Sequence, residues 1–526
     1  MSSFYKRSLL CFVLTLSIML VCIMRVMVIA NDSKLSEAAT IQSNRRVNIK
    51  RNRGRVFDCN NNLLTDKYFD QMTVVFPSES GVFALKELLS GDELAKQLEA
   101  LKNGQVVKVF KMLPNKLRGA KGLYVPDRYT NSLTHVLGYV GADGHGVSGV
   151  EKFFDDVLFS EQYLSVSYAV DSLGRMLEGI EPEVINTEHS GKVILTIDEN
   201  LQRITESAMK DVSAGAAVIL EAKTGKLKAV VSCPNYDCND VASALTAEKS
   251  PLINRATYLY NVGSVFKPLI AAAALENGLA NYTYNCTGSF TVGDVTFKCN
   301  KSSGHKELGL SDALAYSCNT YFYTLGMKLG AETLYDMAKA MRFGEEFDCN
   351  GGLVSTKGSL PSLEKLTTLP AELVNLSIGQ GDLMLSPIAM AVMYSAIVND
   401  GTYRLPYIVQ SVENNGEIFE YKPSPVTVAF SKSTADALKE HLKYALKNGT
   451  GKSAYIEGVS SGGKTGTAQT GWVTDQRSIL NGWFCGFYEG YQDYVIIVLK
   501  EDVKSASSDC APIFKTIIHQ MNTKGY

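Results

Sequence analysis

The chain has 526 residues, too many for one ordinary domain, so two or three domains are expected. Hydrophobic residues make up 45%, enough for sizeable cores, and 52 basic against 54 acidic side chains leave a formal net charge of −2. That balance excludes the basic stripe of a nucleic-acid binder, and no long single-sign charge run, low-complexity tract or short-period repeat stands out.

Residues 1–8 form a short tail containing Lys6 and Arg7. Residues 9–30 are almost wholly apolar, broken by Thr15, Ser17 and Arg25. At about 1.5 Å per residue, a helix of that length crosses a bilayer core of about 30 Å. The basic pair in front favours a cytoplasmic tail, and Arg25, towards the outer end, can snorkel to the interface. The apolar stretch exceeds the roughly 7–15 residues of a signal-peptide core, which favours an uncleaved single-pass anchor. Ala30 as a small cleavage-site residue keeps the cleaved alternative open. Either reading puts the bulk of the chain outside the cytoplasm. Beyond it, Arg45, Arg46, Lys50, Arg51, Arg53 and Arg55 read as a solvated strand or linker before they read as a surface for anionic polymer or lipid.

A first region, 31–185, has modest periodicity and several Gly and Asp breaks. From 190 to 526 the pattern sharpens. Residues 192–197 read as a strand, and Asp198 is a credible N-cap for a helix carrying Leu201, Ile204 and Ala208. Residues 216–220 and 227–231 make a hairpin through Lys223-Thr224-Gly225. Helical patterns follow at 267–275 and 332–341. A second hairpin joins 483–487 to 494–499, and a final helix covers about 511–521. Strands at both ends with helices between predict an α+β domain whose terminal strands meet in one antiparallel sheet.

Eleven cysteines include Cys11 and Cys22 in the apolar stretch, leaving an odd number elsewhere, so not all can pair within the chain. Cys286 and Cys299 flank a predicted hairpin turning at Gly293-Asp294, where a cross-strand disulfide and two reduced thiols are both open. No Cys-x-x-Cys occurs and the histidines are scattered, so no metal is expected.

Gly263-Ser264-Val265-Phe266-Lys267 opens an apolar helix, and i to i+3 spacing puts Ser264 and Lys267 on one face. A serine hydroxyl needs a base before it attacks, and a neutral lysine amine serves if its pKa is lowered. The helix dipole and a second nearby cation would both lower it. Pro268 falls near the first turn, where its missing N–H costs least. Ser-x-x-Lys alone says little, because the spacing recurs at Ser3/Lys6, Ser207/Lys210, Ser303/Lys306, Ser362/Lys365 and Ser461/Lys464. Ser317-Cys318-Asn319 follows a short helix expected to be capped by Ser311, and alone would be a helix cap. Lys464-Thr465-Gly466-Thr467 follows Gly462-Gly463 and alone would be an edge strand whose glycine admits a close neighbour. In this order the three match the set found in penicillin-binding proteins and class A β-lactamases.

From about residue 192 onward the chain resembles a class B penicillin-binding protein transpeptidase domain. The resemblance rests also on Gly215-Ala216-Ala217-Val218, Ser232-Cys233-Pro234-Asn235-Tyr236-Asp237, Ile378-Gly379-Gln380-Gly381 with Ser386-Pro387, Gly449-Thr450-Gly451-Lys452 and Trp483-Phe484-Cys485-Gly486-Phe487. Arg53-Gly54-Arg55-Val56-Phe57-Asp58, His135-Val136-Leu137-Gly138-Tyr139 and Gly149-Val150-Glu151 resemble the class B pedestal. Two departures are Cys59-Asn60-Asn61, where Arg-Asn-Gly is usual, and Cys318 in the middle of the Ser-x-Asn motif.

The resemblance implies an α+β fold of the penicillin-binding and serine β-lactamase kind: an antiparallel sheet with helices on both faces and a helical subdomain, carried on a pedestal and a single membrane helix. It implies a D,D-transpeptidase in which Ser264 is the nucleophile, Lys267 its base, Ser317 a proton relay, Asn319 a substrate hydrogen-bonder and Lys464 a positive charge near the substrate carboxylate. Thr465, Gly466 and Thr467 would hold that carboxylate, with the N–H groups of Ser264 and Thr467 as oxyanion donors. Peptidoglycan stem peptides and β-lactams would be its ligands, a SEDS-family glycosyltransferase its partner, and no cofactor is implied. A β-lactamase, a D,D-carboxypeptidase, a non-enzymatic scaffold and a bifunctional glycosyltransferase fit less well.

Overall fold

The computed structural model describes residues 2–34, 43–113, 117–474 and 477–526. They divide into two compact units that interleave along the chain. One comprises residues 1–53, 68–127 and 160–189; the other comprises 54–67, 128–159 and 190–526. A single sequential break near residue 185 therefore does not describe the units, since two earlier segments group with the C-terminal one.

The first unit begins with the helix Ser2–Asn31. Among the described residues it is the one helix long and apolar enough to cross a membrane. It extends past the apolar stretch 9–30 at both ends, and near its front Ser8 Oγ donates to the Phe4 carbonyl at 3.0 Å. The basic cluster lies largely on the half-buried strand Asn44–Arg53. Arg46 donates to Ser165 Oγ at 2.6 Å and Arg51 to the Ser160 carbonyl at 3.0 Å, so part of this charge is used inside the unit. Tyr68–Val75 pairs antiparallel with both Val107–Val109 and Ala120–Asp127. The helices Glu79–Leu88 and Gly91–Lys102 bury Leu85, Leu88 and Leu101 in a core shared with Val75, Val107 and Val109.

The second unit is built on a five-stranded sheet in the order Leu227–Cys233, Gly215–Glu221, Asp493–Lys500, Arg477–Glu489, Ser461–Thr474. Every neighbouring pair is antiparallel, as the two predicted hairpins require. Successive side chains along a strand point to opposite faces, and here both faces are apolar. Val218, Leu220, Val495 and Ile497 belong to one core, while Ala217, Ile219, Ile496 and Val498 belong to another. Phe514, Ile517, Ile518 and Met521 of the last helix, Ala511–Lys524, fill the second. The first contains the helix Pro387–Val398, all twelve of whose residues are buried. Such a helix is apolar all round because it has no solvent face. Helices on both faces of one antiparallel sheet are the expected architecture.

Asp198 caps the helix Glu199–Met209, accepting from the N–H groups of Asn200 and Leu201. The short helix before the Ser-x-Asn motif, Leu310–Ala315, has its N-cap at Gly309 and not at Ser311, which falls inside it. The strand expected at 192–197 is Lys192–Leu195 and joins a separate sheet, pairing parallel with Arg55–Phe57 and antiparallel with Val409–Asn414.

Candidate active site

The turn carrying Ser264 is held by hydrogen bonds on three sides. Gly263 adopts φ +67°, a left-handed conformation that a side chain disfavours. Its N–H donates to the Gly379 carbonyl at 2.7 Å. Trp483 Nε1 donates to the Asn261 carbonyl at 2.9 Å just before the turn, and the Tyr394 hydroxyl donates to the Val265 carbonyl at 3.1 Å just after it. Ser264 sits in the single 3-10 turn Gly263–Phe266, half-buried, and the helix Lys267–Glu276 follows directly.

Lys267 is fully buried at the start of that helix. Its Nζ donates to the Ser317 carbonyl at 2.9 Å, to Ser317 Oγ at 3.2 Å and to Asn319 Oδ1 at 2.7 Å, and it lies 5.3 Å from the Phe322 ring centroid. Ser317 itself has φ +56°, a conformation a non-glycine residue keeps only where its surroundings impose it. Cys318 is the N-cap and Asn319 the first residue of the helix Asn319–Leu329. The turn between two helices thus delivers both polar partners of the Ser-x-Asn motif to one amine.

Lys464, also buried, lies on the edge strand Ser461–Thr474. That strand passes close to the turn carrying Ser264: a Cβ on Gly466 would come within 2.9 Å of the Val265 nitrogen. Glycine is required there by proximity, as the Lys-Thr-Gly pattern suggests. Lys464 Nζ donates to the Thr465 carbonyl at 2.9 Å. Thr465 is buried and its hydroxyl donates to Thr450 Oγ1 at 2.7 Å, while Thr467 is exposed and accepts from the Ala506 N–H at 3.3 Å.

Burial pushes the Lys267 amine down to about 7. Burial, then the charge of Lys267, holds Lys464 well below the ordinary lysine value. Desolvation is the leading cause for both amines, and the repulsion between them, the second-cation effect expected from the sequence, comes after it.

Residues 215–519 match the family described as penicillin binding protein transpeptidase domain. The chain belongs to that family. It is 30% identical over 390 residues to the stage V sporulation protein D of Bacillus subtilis, covering 70% of this chain and 58% of the relative, so it spans little more than half of that protein. It is 26% identical over 455 residues to the peptidoglycan D,D-transpeptidase MrdA of Haemophilus influenzae, covering 74% and 68%. Among solved structures, the D,D-transpeptidase domain of a peptidoglycan glycosyltransferase from Eggerthella lenta shares the fold with a TM-score of 0.65 and 24% identity, covering 91% of this chain and all of that one. Penicillin binding protein 3 of Mycobacterium tuberculosis, complexed with aztreonam, gives 0.66 and 22%, covering 90% and 96%.

The Ser-x-x-Lys, Ser-x-Asn and Lys-Thr-Gly residues of this transpeptidase-family chain all lie in the second unit. One residue without an assigned role from sequence is Thr450. Besides accepting from Thr465, it donates its N–H to the Ala315 carbonyl at 2.9 Å, two residues before Ser317, and its carbonyl accepts from Ser507 Oγ at 2.9 Å. It ties the Lys-Thr-Gly strand to the Ser-x-Asn turn. Its place in Gly449-Thr450-Gly451-Lys452 was the available signal, and Gly449 is needed because a Cβ there would lie 2.1 Å from the Ala315 oxygen.

Cys286 and Cys299 resolve one open alternative and correct one expectation. Every described cysteine is a free thiol, so no disulfide joins them. The predicted hairpin is present, with Val292 opposite Val295 across Gly293-Asp294. His305 and Cys318 meet the pair at its base, so the view that the histidines offer no metal-ligand grouping is also overturned.

Proposed function

We propose that this chain is a peptidoglycan D,D-transpeptidase that cross-links stem peptides through an acyl-enzyme on Ser264 and is inhibited covalently by β-lactams at the same serine. The observation that carries the reading is a buried lysine amine, with a pKa near neutrality, one helical turn from a half-buried serine and hydrogen-bonded to both Ser317 and Asn319. Lys267 takes the proton of Ser264 as the hydroxyl attacks the penultimate D-Ala carbonyl. The N–H groups of Ser264 and Thr467 receive the developing oxyanion, a contribution of about 3–4 kcal/mol per donor in a serine protease. Ser317 passes a proton to the departing D-Ala amine, and Asn319 binds the peptide. Lys464, Thr465, Gly466 and Thr467 hold the terminal carboxylate. An amine on a second stem peptide then takes the acyl group.

The same reading makes residues 9–30 a membrane anchor with the cytoplasm on the side of residues 1–8, and makes residues 31–185 a class B pedestal. A SEDS-family glycosyltransferase is the partner it implies. The test is labelling of the purified full chain with a fluorescent penicillin, followed by peptide mapping. The wild type forms one stable adduct on Ser264, and Ser264→Ala forms none while keeping its melting temperature. An adduct on another serine refutes the mechanism. A wild-type chain that never labels makes a non-enzymatic scaffold the better reading.

A further inference from the structure

Four ligand-type side chains converge a short way from the Lys267 amine, and the mechanism above uses none of them. Cys286 ends the strand Tyr284–Cys286, which pairs with Lys306–Leu308 and so brings His305 alongside. Cys299 follows the Ser289–Val292/Val295–Lys298 hairpin, its N–H donating to the Gly288 carbonyl at 2.9 Å. Cys318 arrives from the Ser-x-Asn turn. The three sulfurs and the imidazole offer ligand atoms within 4.8 Å of one another, and all three cysteines are buried.

Three of the separations match those of a coordination polyhedron. Cys299 Sγ is 3.8 Å from Cys318 Sγ, and His305 Nδ1 is 3.5 Å from Cys299 Sγ and 3.6 Å from Cys286 Sγ. A tetrahedral zinc ion with Zn–S bonds of about 2.3 Å and a Zn–N bond of about 2.05 Å sets two sulfurs about 3.8 Å apart and sulfur from nitrogen about 3.6 Å. A disulfide needs sulfurs about 2.05 Å apart, so these distances are far too long for one. A supporting shell is present as well. Thr320 Oγ1 donates to Cys286 Sγ at 3.0 Å and lies 3.4 Å from Cys318 Sγ, and the imidazole stacks on Tyr316 with an interplanar angle of 13°.

We propose that Cys286, Cys299, His305 and Cys318 form a structural zinc site. Four protein ligands close the coordination sphere, which leaves no open position for substrate or water and separates this site from zinc catalysis. Binding replaces three thiol protons with one Zn²⁺, while His305 stays neutral, ligating through Nδ1 with its proton on Nε2. The proton release makes affinity fall at low pH. Soft thiolates with one imidazole select zinc over magnesium or calcium. Because Cys318 lies between Ser317 and Asn319, the ion fastens residues 286–305 to the turn that holds both hydrogen-bond partners of Lys267.

The test is metal analysis of the full chain, purified in detergent without chelator, by plasma mass spectrometry. One zinc per chain is expected in the wild type and in Cys349→Ser, a buried cysteine outside the cluster. Cys299→Ser and His305→Ala should fall at least tenfold. Should those variants fail to fold, exchange of the wild type with Co²⁺ decides the matter. The expected product shows the intense visible bands of a tetrahedral ion with thiolate charge transfer. Less than a tenth of a zinc in the wild type overturns the proposal. So does a mapped Cys286–Cys299 disulfide, a cobalt spectrum without those bands, or zinc that is equal in the wild type and the cluster variants.

Discussion

A buried amine near pKa 7 gives the acylation step a pH dependence that can be worked out in advance. Lys267 acts as a base only when neutral. With a pKa of about 7, the neutral fraction is about 3% at pH 5.5 and about 91% at pH 8, so acylation should rise about 30-fold over that interval and then level off. An exposed lysine, titrating near about 10.4, would instead give a rise of about 300-fold over the same interval, still climbing tenfold per unit beyond it. The sign follows from desolvation: burial disfavours the cation, so the base is available at lower pH than in water. Lys464 is buried as well, and its amine is depressed by burial and then by the charge of Lys267. The limb therefore belongs to the pair and reports a macroscopic value. The assay is the second-order rate of fluorescent penicillin labelling, measured in buffers from pH 5 to pH 9.5 with folding checked at each end. Lys267→Ala should lose about 100-fold or more and lose the limb with it. A rate still climbing tenfold per unit beyond pH 8.5, or one flat from 5.5 to 8, would refute the assignment of Lys267 as the base.

Three other outcomes are expected. Arg128 is buried and donates to Glu151 at 2.8 Å, to Asp66 at 2.5 Å and to the Gly54 carbonyl at 2.7 Å. Arg128→Met leaves two carboxylates without their counter-charge and should cost about 3–5 kcal/mol in denaturant unfolding; a cost below about 1 kcal/mol would contradict the buried network. Gly379 has φ +72°, and a Cβ there would lie 2.2 Å from the Gly263 oxygen. Gly379→Ala should therefore slow penicillin acylation at least tenfold by displacing the nucleophile turn, and an unchanged rate would show that the turn tolerates the shift. The anchor reading predicts that alkaline carbonate leaves the chain in the membrane pellet, whereas a mature N-terminus near Asn31 would establish cleavage.

What was legible in the sequence was whatever a local pattern encodes. The two hairpins, the Asp198 cap and the apolar helix at the N-terminus follow from periodicity and turn chemistry over a dozen residues. The site was legible as three short motifs, because each sits where a helix start or an edge strand must present its side chains. Features that depend on distant chain segments were not legible. The parallel pairing of Arg55–Phe57 with Lys192–Ile194 is a contact between remote segments, and no local periodicity announces it. It also accounts for an early segment grouping with the C-terminal unit. The leading cause of the Lys267 shift was not legible for a related reason: a motif shows which charges are near in sequence, whereas desolvation depends on everything packed around the amine.

The cysteine cluster carries this furthest. Its ligands are separated by twelve, five and twelve residues, which matches no short metal-binding spacing. They come from a strand end, a hairpin base, a strand start and a helix cap, so only the closed fold brings them together. Cys318 looked like a neutral departure inside a catalytic motif, and its position is what links the two centres. Its backbone is fixed by the demands of Lys267 on either side, at Ser317 and Asn319, while its sulfur faces the other way into the cluster. One residue thus belongs to both, and a change at Cys318 cannot report on either alone. His305 and Cys299 contact the cluster without belonging to the motif, so substitutions there separate a metal effect from a direct effect on the catalytic turn.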